Sequence, residues 1–311
     1  MQTIVMYHSH CFDGTMAAAA ALRAIDTGKL QADPAKGLYS INYPQATLDT
    51  FFGPKSPYEH SQALEVPAEH FLFVDFCPKA EVVSELLSMG KEVTILDHHK
   101  TAQADVAALR LEDNLNMNFD MTKSGARLAW EYFFDVVPSL VEYVEDRDLW
   151  KWKLENTREV MAWLSSAAAT NDPRSYLEAI VNFEVSPAFA IQTGGFLTKE
   201  MDNQIAKMAS AFRKVEIPGF GVGLVVNATC YPSEVCAYLY ERHETPWVIA
   251  YQVNRNKTVS LSFRSGQGMA HSIDVTTLAK EFGGGGHANA AGGVADLDTW
   301  LEILQASEPQ S

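Results

Sequence analysis

Three short stretches of this 311-residue chain carry side chains that packing alone does not call for. "TILDHHK" (94–100) ends an apolar, strand-like run in Asp97, His98 and His99. "YHSHCFDG" (7–14) brings His8, His10, Cys11 and Asp13 to the end of a second run, and "FVDFCP" (73–78) puts Asp75 at the end of a third. A carboxylate leaving an apolar strand needs a partner or a cation, because an uncompensated buried charge is costly. A fourth, acidic stretch, "EYVEDRDLW" (142–150), adds Asp146 and Asp148. Carboxylates and imidazoles without paired thiolates favour hard or borderline divalent ions such as Mn2+, Mg2+ or Fe2+. Four carboxylate-bearing loops could hold two ions about 3.5–4 Å apart, bridged by one aspartate, which suits attack of an activated water on phosphorus. Plainer readings exist for single members: Asp13 as the cap of the helix that follows it, and 142–150 as an acidic surface turn.

These residues need a scaffold, and the hydropathy pattern supplies one. Apolar strands are expected at 3–9, 70–76 and 92–99, with helical patterns at 14–25, 79–89, 101–108, 124–134 and 139–146. Strands alternating with helices predict an α/β fold with a mostly parallel, doubly wound N-terminal sheet. Ligands collect at the C-terminal ends of such strands, where His8, Asp13, Asp75 and the 97–99 triplet fall. Residues 150–215 read as helix-rich. After 216–221 the pattern restarts with strands at 222–228, 247–254 and 258–265, helices at 233–243 and 274–282, the loop "GGGGHANAAGG" (283–293) and a last helix near 297–306. The expected division is a metal-binding domain over 1–185, a connecting helix over 186–215 and a smaller α/β domain over 216–311. Segments 44–68 and 184–200 read as long loops able to act as lids or partner surfaces.

Composition narrows the class. Hydrophobic residues make up 47% and charged residues 20% of the chain, as in an ordinary globular protein. No apolar run reaches the roughly 18 residues of a membrane span, no secretion signal is evident, and the four cysteines (Cys11, Cys77, Cys230, Cys236) form no CxxC pair. A reducing cytoplasm is the expected home. A net charge of −15 argues against a protein that coats duplex DNA with a basic face. It leaves room for a small anionic substrate, since local cations reverse the field within a cleft.

"LDHHK", "YHSHCFDG", "FVDFCP" and "EDRDLW", followed by "SFRS" and "DVTTLAKEFGGGGHANAAGG", resemble in order the motifs of the DHH phosphoesterase superfamily and its DHH-associated C-terminal domain with a GGGH loop. The resemblance spans nearly the whole chain and is similar to nanoRNases, oligoribonucleases and RecJ-like single-strand exonucleases. It implies two Mn2+ ions, with Mg2+ or another divalent as substitutes. Asp75 would bridge them; Asp13, His98 and Asp146 would complete one site, with Asp148 as the alternative to Asp146, and His8 would serve the other, with His10 as its alternative. Asp97 would hydrogen-bond a histidine behind the metal, and His99 would lie near the scissile phosphate as an acid or substrate contact. Many members carry Asp-x-Asp-Gly where this chain has Cys11-Phe12-Asp13-Gly14. A thiolate there would favour softer ions than Mn2+.

In the second domain, backbone N–H groups of Gly284, Gly285 and Gly286 could cradle an anion, with His287 donating to the same phosphate and Arg264 offering a bidentate fork. Phe76, Tyr231 and Trp150 could stack a base, although each also reads as core. The resemblance implies a phosphodiesterase releasing mononucleotides from short single-stranded RNA or DNA, or splitting dinucleotides. Two alternatives remain: a phosphatase acting on a nucleotide bisphosphate, and a nucleotide-binding sensor whose metal site is impaired by Cys11. A second copy of the chain is a candidate partner.

Overall fold

The computed structural model describes residues 2–35, 37–41, 68–109, 112–169, 171–266 and 268–305. The chain divides into two compact units, Met1–Thr198 and Lys199–Ser311.

The first unit is built on a parallel sheet of five strands, β1 (Thr3–His8), β2 (Leu38–Ile41), β3 (His70–Val74), β4 (Glu92–Asp97) and β5 (Leu115–Phe119), in the order β2-β1-β3-β4-β5. Alternation along the strands sends side chains to two cores. Val5, Tyr7, Leu72, Val74 and Leu96 pack against α1 (Phe12–Asp26), α4 (Gly125–Phe133), α5 (Ser139–Asp148), α6 (Thr157–Ala167) and α7 (Pro173–Val185). Ile4, Met6, Phe71, Phe73, Val93 and Ile95 pack on the opposite face with α2 (Ala80–Ser88) and α3 (Lys100–Val106). Both faces are covered, so the central strands β1, β3 and β4 are almost continuously apolar. The chain leaves β1 toward one face and β3 toward the other. Their carboxyl ends therefore diverge and open a crevice, the place where open α/β sheets receive ligands.

Helix α8 (Pro187–Ala209) crosses the boundary between the units. The expected loop at 184–200 is thus mostly helix. Within it Gly194 serves close packing: a Cβ there would run into the Glu159 carbonyl on α6. The other expected loop, 44–68, lies outside the described residues except for buried Ala68.

The second unit carries a six-stranded mixed sheet of β6 (Arg213–Ile217), β7 (Gly221–Asn227), β8 (Val248–Val253), β9 (Thr258–Arg264), β10 (Gly285–His287) and β11 (Ala290–Asp296), in the order β10-β11-β9-β8-β7-β6. Among the described strands only the β7–β8 pair of this sheet is parallel. One face packs Val215, Ile249, Leu261 and Phe263, together with Trp247, against α10 (Val275–Lys280) and α11 (Leu297–Gln305), the latter contributing buried Trp300. Helix α9 (Pro232–Tyr240) contributes buried Val235, Cys236 and Leu239. Among the described residues no helix is long and apolar enough to cross a membrane.

Candidate metal centre

The site assembles at the carboxyl ends of β1, β3 and β4. β4 ends on Asp97, whose side chain is fully buried. Its Oδ1 accepts the backbone N–H of His98 at 2.8 Å and lies 2.7 Å from His99 Nδ1. One carboxylate thereby shapes the turn and fixes the ring of His99. His98 is turned the other way and buried to 1% exposure. Its Nε2 lies 3.1 Å from Asp75 Oδ1, 3.6 Å from Asp13 Oδ2 and 3.6 Å from Asp148 Oδ2.

Asp75 follows β3 in the left-handed region, with φ 52°, a conformation costly for a side chain other than glycine. Its N–H donates to the Leu96 carbonyl at 2.8 Å, which pins the turn onto β4. The first residue of α4 must be glycine, because a Cβ on Gly125 would collide with Cβ and Cα of Asp75. Asp13, near the start of α1, does not cap its own helix. Its Oδ2 accepts from Gly125 N at 2.6 Å and its Oδ1 from Ala126 N at 3.1 Å, so it caps α4 instead and ties α1 to the site.

The donor atoms of Asp13, His98 and Asp148 lie within 4.8 Å of one another, as do those of His8, Cys11 and Asp75. Asp75 belongs to both corners, with Oδ1 toward His98 and Oδ2 3.7 Å from His8 Nδ1. His8 and His99 meet edge to face, ring centroids 5.7 Å apart.

Asp146 lies elsewhere, and the expectation that it completes the cluster is corrected to Asp148. Asp146 Oδ1 accepts from Lys153 N at 2.8 Å, and its Oδ2 from Leu154 N at 3.2 Å and Thr157 Oγ1 at 2.6 Å. Both oxygens are committed to shaping the connection from α5 to α6. His10 is likewise outside the cluster. The strand ends at His8, and His10 is exposed in a left-handed turn whose N–H donates to Asn171 Oδ1 at 2.7 Å.

The charge balance of the cluster fits a cation. Burial pushes the Asp13 carboxyl well above the usual range, and the Asp75 and Asp148 carboxylates add to the shift. Burial also raises Asp148, against the pull of His98. Asp75 is held below the usual range despite burial, because the imidazoles of His8 and His98 stabilise its charge. His98 and His8 are raised against burial, His98 chiefly by Asp75 and then Asp148, His8 by Asp75 and then Cys11. Three carboxylates thus share one buried imidazole, and Asp75 Oδ2, itself buried, accepts no hydrogen bond. Oxygen and imidazole donors in this arrangement suit a divalent ion.

In the second unit the residues expected to cradle an anion lie at the edge of the sheet. Gly285–His287 is strand β10, paired with β11 in the register Gly285↔Gly292, Gly286↔Ala291 and His287↔Ala290. The N–H of Gly284 is committed to the Ala279 carbonyl at 2.9 Å. Glycine at 284 is required by packing, since a Cβ there would overlap the Gly292 carbonyl oxygen. The Arg264 guanidinium is held within the unit: Nη1 donates to the Phe263 and Ala291 carbonyls, and Nη2 to Ser233 Oγ at 2.8 Å. Phe76 is core, whereas Trp150 is half-buried and meets Trp152 edge to face at 4.9 Å.

Comparison with known proteins agrees with this architecture. Residues 233–308 match the DHHA1 domain. A protein of Acanthamoeba polyphaga mimivirus, itself uncharacterised, is 26% identical over 304 residues, covering 93% of this chain and 66% of the viral one. The chain thus spans just under two thirds of that relative. Among solved structures, an exopolyphosphatase-related protein from Bacteroides fragilis aligns with a TM-score of 0.54 at 14% identity, covering 98% of this chain and 90% of its own. A DHH domain described as belonging to a family of ribosomal proteins aligns at 0.55 and 13% identity, covering 98% and 85%. At these identities the likeness is one of fold. The chain shares the fold of DHH-domain proteins and carries a DHHA1 domain in its second unit.

Proposed function

We propose that this chain, with its DHH fold and DHHA1 domain, is a metal-dependent phosphodiesterase acting on short single-stranded oligonucleotides or dinucleotides. The observation that carries the reading is the convergence of Asp13, Asp75, His98 and Asp148 at the β1/β3 crevice, with Asp97 and His99 beside them. Divalent ions at such a site supply an acidified water and neutralise charge on phosphoryl oxygens. Mn2+ is the ion we assign first, and Asp75, with one oxygen toward each corner, is the residue suited to hold two ions together. The remaining work falls to the chain itself. With Asp97 accepting from Nδ1–H, His99 acts through Nε2, which carries a proton for the leaving oxygen only in the imidazolium form. Arg264 and His287 are assigned to a flanking phosphate, with Arg264 exchanging its internal partners for the ligand.

The test is hydrolysis by purified protein with Mn2+ on end-labelled RNA and DNA of two to about twenty nucleotides, linear and cyclic dinucleotides, and a nucleoside bisphosphate, with Asp75→Asn alongside. Stepwise mononucleotide release, lost in the variant, is the expected result. Cleavage of the bisphosphate alone shifts the assignment to a phosphatase. Metal binding without hydrolysis of any member replaces the enzyme by a sensor.

A further inference from the structure

The three donors at the second corner of the site differ in kind from those at the first. We propose that the ion at the His8–Cys11–Asp75 corner is bound by the Cys11 thiolate, which makes that corner selective for Zn2+, Fe2+ or Co2+ over Mn2+ and Mg2+. The Asp13–Asp75–His98–Asp148 corner remains an oxygen-rich site for harder ions. The proposal rests on the two-ion reading above and concerns which ion each corner takes.

The geometry is specific. Cys11 Sγ, His8 and Asp75 present donor atoms within 4.8 Å of one another. Cys11 stands where the chain leaves β1 and enters α1, and its carbonyl accepts both the N–H and the Oγ1–H of Thr15, at 3.1 and 2.8 Å, which anchors its backbone. Independently of the thiol, Asp75 Oδ2 is a buried carboxylate oxygen that faces His8 Nδ1 at 3.7 Å, beyond hydrogen-bond distance, on a residue with 1% exposure. An oxygen so placed is costly without a cation. The other three thiols are placed differently. Cys77 donates to the Pro78 carbonyl, Cys236 is packed in the second unit, and Cys230 lies near Gln204.

One thiolate, one imidazole and one carboxylate form a borderline-soft set of the kind zinc accepts, whereas carboxylate-dominated sites suit manganese and magnesium. On binding, the thiol loses its proton to solvent and sulfur donates to the ion, with no change of oxidation state.

The experiment loads chelator-stripped full-length protein with Co2+ and reads the absorption spectrum together with the bound metal. The expected result is two bound ions and a near-ultraviolet thiolate-to-cobalt band. The band disappears in Cys11→Ser and Cys11→Asp and persists in Cys230→Ser. In competition, wild-type protein retains about one Zn2+ against excess Mn2+, and Cys11→Asp exchanges it. Two bound ions without the band, or a band that survives Cys11→Ser, overturns the proposal and leaves the phosphodiesterase reading intact. Failure to bind any ion overturns both.

Discussion

Asp146 and Asp148 lie two residues apart on α5, and the structure gives them opposite tasks. Residues i and i+2 of a helix point roughly 200° apart, so only one of them faces His98. Asp148→Asn is expected to remove a metal donor while leaving the fold in place, lowering activity at least about a hundredfold, the upper end of the effect of outer-shell partners. Metal content and the melting curve, measured together, check this. Asp146→Asn strips a carboxylate that accepts three hydrogen bonds, so it is expected to destabilise the protein by about 2 kcal/mol or more while metal content is retained. The same cluster sets a pH dependence in metal-free protein. His98 and His8 are raised from an ordinary value of 6.5, so their contribution to stability is complete below that pH and is lost as pH rises through their folded values. Asp13, also raised, changes in the same direction. Asp75, lowered, contributes fully above the ordinary aspartate range and is constant there. Metal-free protein is therefore expected to lose thermal stability from about pH 6.5 upward, and saturating Mn2+ to flatten the decline. Melting temperatures from pH 6 to 9, with and without the ion, decide it.

The elements that place these residues were legible where burial and chemistry coincide. β1, β3 and β4 are apolar runs that end on ionisable groups, and α1 is an alanine-rich run buried from Met16 to Leu22, so strand, helix and site were read from one pattern. The edge strands β2 and β5 were not, because four or five half-exposed residues such as "LNMNF" leave no run to detect. Gly194 sits inside a helix to admit the backbone of α6, and the run before His287 is half of a hairpin whose partner Gly292 was already visible in "ANAAGG". Pairing glycine against glycine across a short turn was the signal that would have found β10 and β11. The choice between Asp146 and Asp148 needs the helix phase relative to the sheet, which composition does not contain. Gly125 carries the most direct test at this scale. A methyl group there meets Asp75 Cβ and Cα, backbone-anchored atoms that cannot swing aside. Gly125→Ala is expected to cost about 1–3 kcal/mol, as overpacking does, and to move Asp75 and the α4 terminus that binds Asp13. Loss of bound Mn2+ in a still-folded variant, by metal analysis and circular dichroism, is the outcome that supports this.

Across the whole molecule the formal charge is −15, while the chemistry assigned to it concerns an anion. A protein that holds nucleic acid on a basic face making about 6–10 phosphate contacts loses about 10³–10⁵ in affinity between 50 and 200 mM salt. This chain is expected to behave otherwise, because attraction is confined to bound cations and to a few side chains such as Arg264 in the second unit. For a dinucleotide, the slope of log kcat/KM against log salt is expected to lie near −1 to −2, at about 0.7 per single-strand phosphate contact. Lengthening the substrate to about twenty nucleotides should steepen it little, given the net charge of −15. Arg264→Gln then separates two roles. If Arg264 meets a substrate phosphate, the slope becomes shallower by about 0.7 and KM rises with kcat unchanged. If it serves only Ser233 and the carbonyls of Phe263 and Ala291, the melting temperature falls and the slope stays where it was. Kinetics over a salt series, run beside a melting curve, therefore test whether the DHHA1 domain contributes charge to the substrate or only structure to itself.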